Sequence, residues 1–350
     1  MKVALIHFRL LQAGGLENRI LNYSNWFIQN GHEVTLICNK LDLDFPIPVG
    51  ATVVKLPKIP VPKVFNMMVF DWQLGRYMKG KQFDFSLGMG RTSHHEAVLA
   101  PGNHLGYLRA LGKSPKGISD WAQIKMDNKG HNRSKIIFAA SQMMKSELIE
   151  LYKVPENKIH VLYPPLNIEK YKTISGEIKK AARKATGISE TTRVFGFVSG
   201  SHSRKGLPLL LAAFEKLESE NVLLLIAGKQ KSNSKLKNVR DLGFMPEPKK
   251  LYELCDFLLH PAVYEPYGQI VAEALACGIP SIVSDKTGAG ELIGKNEGLV
   301  LSPAQTGSWI ETIKNADSHS FFVGPDWADK NQLSTDSHLK KMLKLAGKII

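Results

Sequence analysis

Two doubly wound α/β units are the fold this sequence predicts, and three observations predict it. Short β-branched or Leu-rich runs alternate with longer amphipathic stretches almost from end to end, the pattern of parallel sheets wrapped in helices. The length, 350 residues, exceeds one ordinary α/β core and suits two domains of roughly 150 residues each. Between two complete strand–helix series lies YPPLNIEKYKTISGE (163–177), proline-containing and without hydrophobic period, where a domain junction is expected.

In the first half KVALIHF, EVTLIC, TVVKLP, FDFSLG, KIIFAA and KIHVLYP read as strands; in the second, RVFGFVSG, VLLLIAG, FLLHPA and PSIVSD. Such short apolar runs suit strands covered on both faces. Helices are expected between them. LENRILNYSNWFIQNG carries Leu16, Ile20 and Phe27 at helical spacing and closes on Gly31, and LPLLLAAFEKLE behaves likewise. The chain thus divides into a first Rossmann-like unit over 1–165, a second over 166–325, and a basic amphipathic helix within 326–350 that bridges the two.

With 43% hydrophobic and 22% charged residues, the composition is that of a globular protein. No apolar run approaches the roughly 18 residues that span a bilayer. The opening MKVALIHFRLLQAGG starts like a signal peptide, but Arg9 interrupts it and no small-residue cleavage site follows, so it reads as a buried first strand. Cys38, Cys255 and Cys277 sit in apolar segments and are odd in number, which argues against a disulfide framework and for a cytoplasmic location. The net charge of +14 calls for an acidic partner: nucleic acid, an anionic membrane or a phosphorylated substrate.

PAVYEPYGQIVAEALACGIPSIVSD (261–285) reads as turn, helix and strand. In open α/β sheets, ligands lie beyond the carboxyl ends of strands, among loops and helix N-termini. The amides of Gly268, Gln269 and Ile270 then stand at the positive end of a helix dipole, suited to phosphate. Glu265 and Glu273 are eight positions apart, about 12 Å if the stretch is helical, too far for an acid and base sharing one glycosidic bond. Carboxylates beside a phosphate are repulsive unless they face hydroxyls. The spacing suits a nucleotide sugar, with ribose at Glu273, sugar at Glu265 and phosphate between. Two glutamates steadying a helix start is the plain alternative for this segment alone.

Two more loops fall at equivalent strand-to-helix positions. VSGSHSRKGLPLLLAAF places Arg204 and Lys205 where a cation pair neutralises a departing diphosphate, against the alternative of a solvated basic turn. FRLLQAGGLENRIL puts Gly14 and Gly15 where backbone can approach a phosphate, against that of a plain tight turn.

Together these residues resemble the retaining glycosyltransferases of family 4, with the GT-B fold of two Rossmann-like domains whose parallel sheets face a central cleft. EPYGQIVAEALACGIPSIVSD with GAGELI is similar to the family's donor-binding signature, RKG to its phosphate-binding Lys-Gly, and GGLE to its Gly-rich loop. The resemblance implies that Glu265 contacts the donor sugar and Glu273 the ribose, that Arg204 and Lys205 hold the diphosphate, and that Gly15 lies near phosphate or acceptor. APGNHLGYLRAL (100–111) is similar to the active-site histidine region of family members that build lipopolysaccharide cores, which makes His104 a contact to donor sugar or acceptor. DLGFMPEPKKLYELCD resembles the loop that meets the base, with Phe244 and Met245 as its contacts. Two departures stand out: Asn103 where a second glycine is expected, and no Gly-Arg near Ser199 and Gly200, so that Arg204 supplies the second cation. Retention of configuration follows from the family and not from spacing.

No cofactor and no metal are expected. Asp42 and Asp44 form an Asp-x-Asp triplet by chance in a polar loop, and His94 and His95 lack further ligands at useful spacing. From Leu105 to Lys135 seven Lys/Arg face two Asp, interleaved with Tyr107, Leu108, Leu111, Trp121 and Ile124. KIPVPKVFNMMVFDWQLGRYMKGK mixes five cations with Met, Phe and Trp. Such mixtures suit a surface lying on an anionic bilayer, and thus a monomeric enzyme on the inner face of the cytoplasmic membrane acting on a lipid-anchored glycan such as lipopolysaccharide core. The competing readings are a sugar-nucleotide epimerase of the same architecture and a basic nucleic-acid-binding protein, though RNP aromatics and a helix-turn-helix are missing. A nicotinamide oxidoreductase is disfavoured because no G-x-G-x-x-G follows a candidate strand.

Overall fold

The computed structural model describes residues 1–11 and 15–348, and the chain forms two compact units: Met1–Tyr163 with the segment from Thr335 onward, and Pro164–Ser334. Each unit is a parallel sheet with helices.

The first unit holds β1 (Lys2–Ile6), β2 (Arg9–Leu10), β3 (Glu33–Cys38), β4 (Lys40–Leu41), β5 (Ala51–Lys55), β6 (Phe85–Gly88), β7 (Ala97–Ala100), β8 (Ile136–Ala139) and β9 (Ile159–Val161). Its helices are α1 (Gly15–Gln29), α2 (Asn66–Met78), α3 (His104–Ala110), α4 (Gly117–Arg133) and α5 (Gln142–Tyr152). Seven strands pair in the order β5-β3-β1-β6-β7-β8-β9, and β2 pairs with β4. Alternation along β1 sends Val3 and Leu5 into one core with Tyr23 and Phe27 of α1, and Ala4 and Ile6 into the other with Phe70 and Leu74 of α2. The strand order reverses between β1 and β6, so the loops after them leave in opposite directions and open a crevice at their carboxyl ends.

The second unit repeats the plan with β10 (Arg193–Val198), β11 (Val222–Ala227), β12 (Val239–Gly243), β13 (Phe257–His260), β14 (Ser281–Ser284) and β15 (Gly298–Leu301). Its helices are α6 (Gly176–Thr186), α7 (Leu207–Lys216), α8 (Lys249–Tyr252), α9 (Gln269–Ala276), α10 (Thr306–Asn315) and α11 (Trp327–Lys330). The order is β12-β11-β10-β13-β14-β15, with the reversal between β10 and β13. Phe195, Phe197, Phe214, Phe257, Leu224 and Trp309 are fully buried in its core.

Within 326–350, where a basic amphipathic helix is expected, two helices form. Short α11 belongs to the second unit, and α12 (Thr335–Leu345) belongs to the first, where Leu339, Met342 and Leu343 are completely buried. Five strands, β7, β12 and β15 of the two larger sheets and the short pair β2 and β4, lie where no strand is expected from sequence.

Candidate active site

In the second unit the reversal point brings two of the expected loops together. β10 and β13 are neighbours, with Phe195 opposite Phe257 and Gly196 opposite Leu258. The loop after β10 carries Arg204 and Lys205 into α7, and the loop after β13 carries Glu265 into α9. They are joined directly, for the amide of Val263 donates to the carbonyl of Arg204 at 3.0 Å. Gly206 permits this approach: it caps α7 at φ +84°, and a Cβ there would fall 2.0 Å from the Pro261 carbonyl oxygen.

Glu265 is not helical. Its amide donates to the Lys286 carbonyl and its carbonyl accepts from the Gly288 amide, both at 2.9 Å, so the segment after β14 fixes its backbone on both sides. The eight-residue helical span expected between Glu265 and Glu273 is therefore corrected: helix begins at Gln269 and only its first turn separates that residue from Glu273. Gly268 is the helix cap at φ +98°, and no side chain caps the amides of the first turn, which include Gln269 and Ile270. The Gln269 side chain donates to the Pro165 carbonyl at 3.1 Å.

Three basic side chains surround one carboxylate oxygen. Glu265 Oε2 lies 3.1 Å from Lys205 Nζ, 3.3 Å from Arg204 Nη1 and 3.7 Å from His260 Nε2. Arg204 Nη1 also donates to the Tyr264 carbonyl at 2.9 Å. Burial penalises this carboxylate by several kcal/mol, yet each full cation returns about 4–5 kcal/mol at an effective dielectric near 20. The cations win: against burial, His260, Lys205 and Arg204 hold Glu265 well below the usual carboxylate range. His260 is fully buried, and burial together with those two cations pushes its imidazole below its ordinary value, so it is neutral near pH 7.

Glu273 meets the opposite environment. It is partly buried on α9, and the Tyr252 hydroxyl lies 3.3 Å from its Oε2 while Tyr171 also bonds it. Burial pushes its carboxyl up to about 7, the phenols, Lys170 and Lys205 opposing only in part. One site thus holds a carboxylate locked ionised and another poised to titrate. Phe244 and Met245 follow β12 at the same edge of the sheet, Phe244 being 60% exposed with Lys229 Nζ 5.1 Å from its ring centre.

In the first unit Gly15 opens α1, with nothing within 4 Å of a Cβ placed on it; Gly14 lies outside the described residues. His104 opens α3, its Nε2 2.8 Å from Asp120 Oδ1 and its amide donating to Asp127 Oδ2 at 2.9 Å. Asp127 is a buried hub that also takes Arg91 Nε at 2.7 Å and the Tyr152 hydroxyl at 2.9 Å. Asn103, which departs from the expected glycine, ties α3 to α5, for its Oδ1 caps the Gly106 amide at 2.6 Å and its Nδ2 donates to buried Glu147 at 2.6 Å. The helix α4 exposes Ile118 and Trp121, with Lys125 Nζ 4.6 Å from the Trp121 ring centre, beside a cavity of about 440 Å³ lined by Pro115, Gly117, Trp121, Ile124, Lys125 and Asn128. Among the described residues no helix is long and apolar enough to cross a membrane.

Residues 13–170 match the family model described as Glycosyltransferase Family 4, and residues 178–318 match Glycosyl transferases group 1. The chain belongs to the glycosyltransferases that these two models describe. This glycosyltransferase is 26% identical over 355 residues to a probable transglycosylase of Burkholderia thailandensis, with 99% of the chain and 97% of the relative covered. Its fold is shared with WaaG, a glycosyltransferase involved in lipopolysaccharide biosynthesis (TM-score 0.77, 18% identity, 99% and 100% of the two chains covered). It is shared as well with Anabaena HepE, whose crystal structure is a complex with UDP-glucose (TM-score 0.73, 14% identity, 99% of each chain covered).

Three residues of the glycosyltransferase's candidate site carry no motif in sequence: His260, Tyr171 and Tyr252. His260 leaves one signal, a titratable residue ending the apolar run FLLH. Nothing in the sequence pairs Tyr171 or Tyr252 with a carboxylate 102 or 21 positions later.

Proposed function

We propose that this glycosyltransferase moves a sugar, with retention of configuration, from a nucleotide-sugar donor to a lipid-anchored glycan such as lipopolysaccharide core or a related cell-surface polysaccharide. The observation that carries the reading is the meeting of Arg204, Lys205 and Glu265 at the β10/β13 reversal, where ligands of doubly wound sheets bind. A nucleotide sugar needs cations at its diphosphate and acceptors at its hydroxyls, and this site offers both.

In the proposed reaction Arg204, Lys205 and the first-turn amides of α9 stabilise the departing diphosphate, which supplies most of the rate because that leaving group is already good. Two fixed cations do there what a divalent ion does elsewhere, so the reaction is metal-independent. Glu265 accepts from the sugar hydroxyls, Glu273 from the ribose, and His104 faces donor sugar or acceptor. Phe244 and Met245 flank the base, and a diphosphate oxygen takes the incoming proton as the acceptor attacks the face the leaving group departs.

The acceptor side rests on the cation-rich surface with exposed Trp72, Ile118 and Trp121 on α2 and α4, which favours peripheral binding to an anionic membrane from the cytoplasm. Three free, buried cysteines fit a reducing compartment.

A panel of UDP-, GDP- and ADP-sugars, read first as donor hydrolysis and then with lipid-linked acceptors in chelator, tests the reading. Transfer from one donor class with the anomeric configuration kept is expected. Interconversion of donor sugars without acceptor makes the protein an epimerase instead, and equal sedimentation with neutral and anionic vesicles removes the membrane part.

A further inference from the structure

Glu273 is held between two phenols. Tyr252, on α8 and completely buried, has its hydroxyl 3.3 Å from Glu273 Oε2 and 3.2 Å from the Ile270 carbonyl. Tyr171, also buried, bonds the same carboxyl from the segment leading to α6. A phenol has a single proton to donate, so Tyr252 serves one of its two acceptors at a time. Facing a carboxylate, it gives the proton to Oε2. Facing a protonated carboxyl, it turns to the Ile270 carbonyl and accepts the carboxyl's own proton. Glu273 therefore has a satisfied set of hydrogen bonds in either state, and neither is excluded by an orphaned polar group.

We propose that Glu273 gives up a proton when a nucleotide sugar binds, with Tyr252 and Tyr171 as positioning residues that keep its carboxyl hydrogen-bonded in both states. The inference rests on the donor reading above and deepens it. The balance is simple. The carboxyl O–H bond breaks and its proton goes to solvent; the Tyr252 proton turns from the Ile270 carbonyl to Oε2; the two ribose hydroxyls donate to the carboxylate. Two phenols and two ribose hydroxyls make four donors, which is the capacity of a carboxylate.

The groups that face Glu273 come from every element around it. Tyr171 and Lys170 lie on the segment before α6, Tyr252 on α8 and Lys205 before α7, all favouring the carboxylate against the burial that outweighs them. Cys277, at the end of its own helix, is neutral because burial pushes its thiol up to about 12. Glu247 acts on Tyr171. With the carboxyl near 7, binding at pH 7 releases up to about half a proton.

The test is calorimetric titration of the full chain with UDP-, GDP- and ADP-glucose in buffers of different ionisation enthalpy, since an esterified diphosphate does not itself titrate near neutrality. For the sugar nucleotide that binds, the expected results are release of about half a proton at pH 7 and affinity about tenfold weaker at pH 6 than at pH 8. Glu273→Gln abolishes the release. Tyr252→Phe, which keeps the ring, moves the pH of half-maximal affinity upward by up to about one unit; a merely structural tyrosine shifts affinity equally at every pH. Carboxyl-labelled glutamate NMR of the free protein, with the Glu273 signal assigned by its loss in Glu273→Gln, gives the same shift without ligand. Tight binding that is flat in pH with no proton exchanged overturns the inference and leaves the donor reading intact. Absence of binding by all three nucleotides at every pH overturns both.

Discussion

Lys205 Nζ and Glu265 Oε2 form an ion pair at 3.1 Å, and Arg204 shares the same oxygen at 3.3 Å. The carboxylate proposed for the sugar therefore masks the two cations proposed for the diphosphate. Removing its charge unmasks them. In Glu265→Gln, affinity for a nucleoside diphosphate is expected to hold or tighten by up to about tenfold, while transfer falls by about 10² or more because sugar contacts and charge placement are lost. Calorimetry beside initial rates checks both halves. Loss of diphosphate affinity in step with rate places the diphosphate elsewhere.

Gly206 carries the loop that holds those cations. At φ +84° with the Pro261 carbonyl 2.0 Å from where a Cβ would stand, any side chain forces the α7 start away from the loop after β13. Gly206→Ala is expected to cost on the order of 2–4 kcal/mol in urea unfolding. Donor KM should rise as well, since the displacement carries Arg204 and Lys205 with it. Wild-type stability in this variant contradicts the packing described.

The alternation of apolar runs and amphipathic stretches made the two α/β units legible in sequence, and the strand-to-helix loops made Arg204, Lys205, Gly268 and Glu265 legible, because both depend on local order along the chain. The strands β7, β12 and β15 did not announce themselves. AVLA is only four small or branched residues, although Pro101-Gly102 closes it; VRDLG is broken by Arg240 and Asp241, and GLVL offers just three apolar side chains after a glycine, both at sheet edges with exposed side chains. His260, Tyr171 and Tyr252 were hidden for another reason. Tyr171 and Tyr252 reach Glu273 from 102 and 21 positions away through packing that no spacing rule encodes, and His260, only five positions before Glu265, ends a fully buried strand and reads as one more core residue.

His104 and Asp120 are joined at 2.8 Å, and Asp120 Oδ2 accepts the Lys116 amide at 2.7 Å. That amide, with His104, holds the Asp120 carboxyl below its ordinary value, so the carboxylate fixes the histidine proton on Nε2 and leaves Nδ1 as acceptor in the neutral ring. Under the proposed reaction His104→Ala lowers kcat/KM by on the order of 10². Asp120→Asn loses the tautomer preference and lowers it by on the order of tenfold, with a changed pH–rate profile. Rates within twofold of wild type in both variants remove His104 from the chemistry.

Glu273 also sets a stability signature of opposite sign to most carboxylates. Its folded value, about 7, lies above the ordinary 4.5. Between those values the folded chain binds more protons than the unfolded one, so this group's contribution to stability falls as pH rises through that window, and the full cost stands above 7. Glu273→Gln removes the cost. The variant is expected to be more stable than wild type at pH 8 by on the order of 1–3 kcal/mol, a few degrees or more in Tm for a unit of this size, with the gain fading toward pH 4. Glu265, held low, acts below that window and is common to both proteins, so the difference isolates Glu273. Thermal unfolding of the two proteins between pH 4 and 8 measures it, and a gain that is constant over that range shows that the Glu273 carboxyl does not titrate within it.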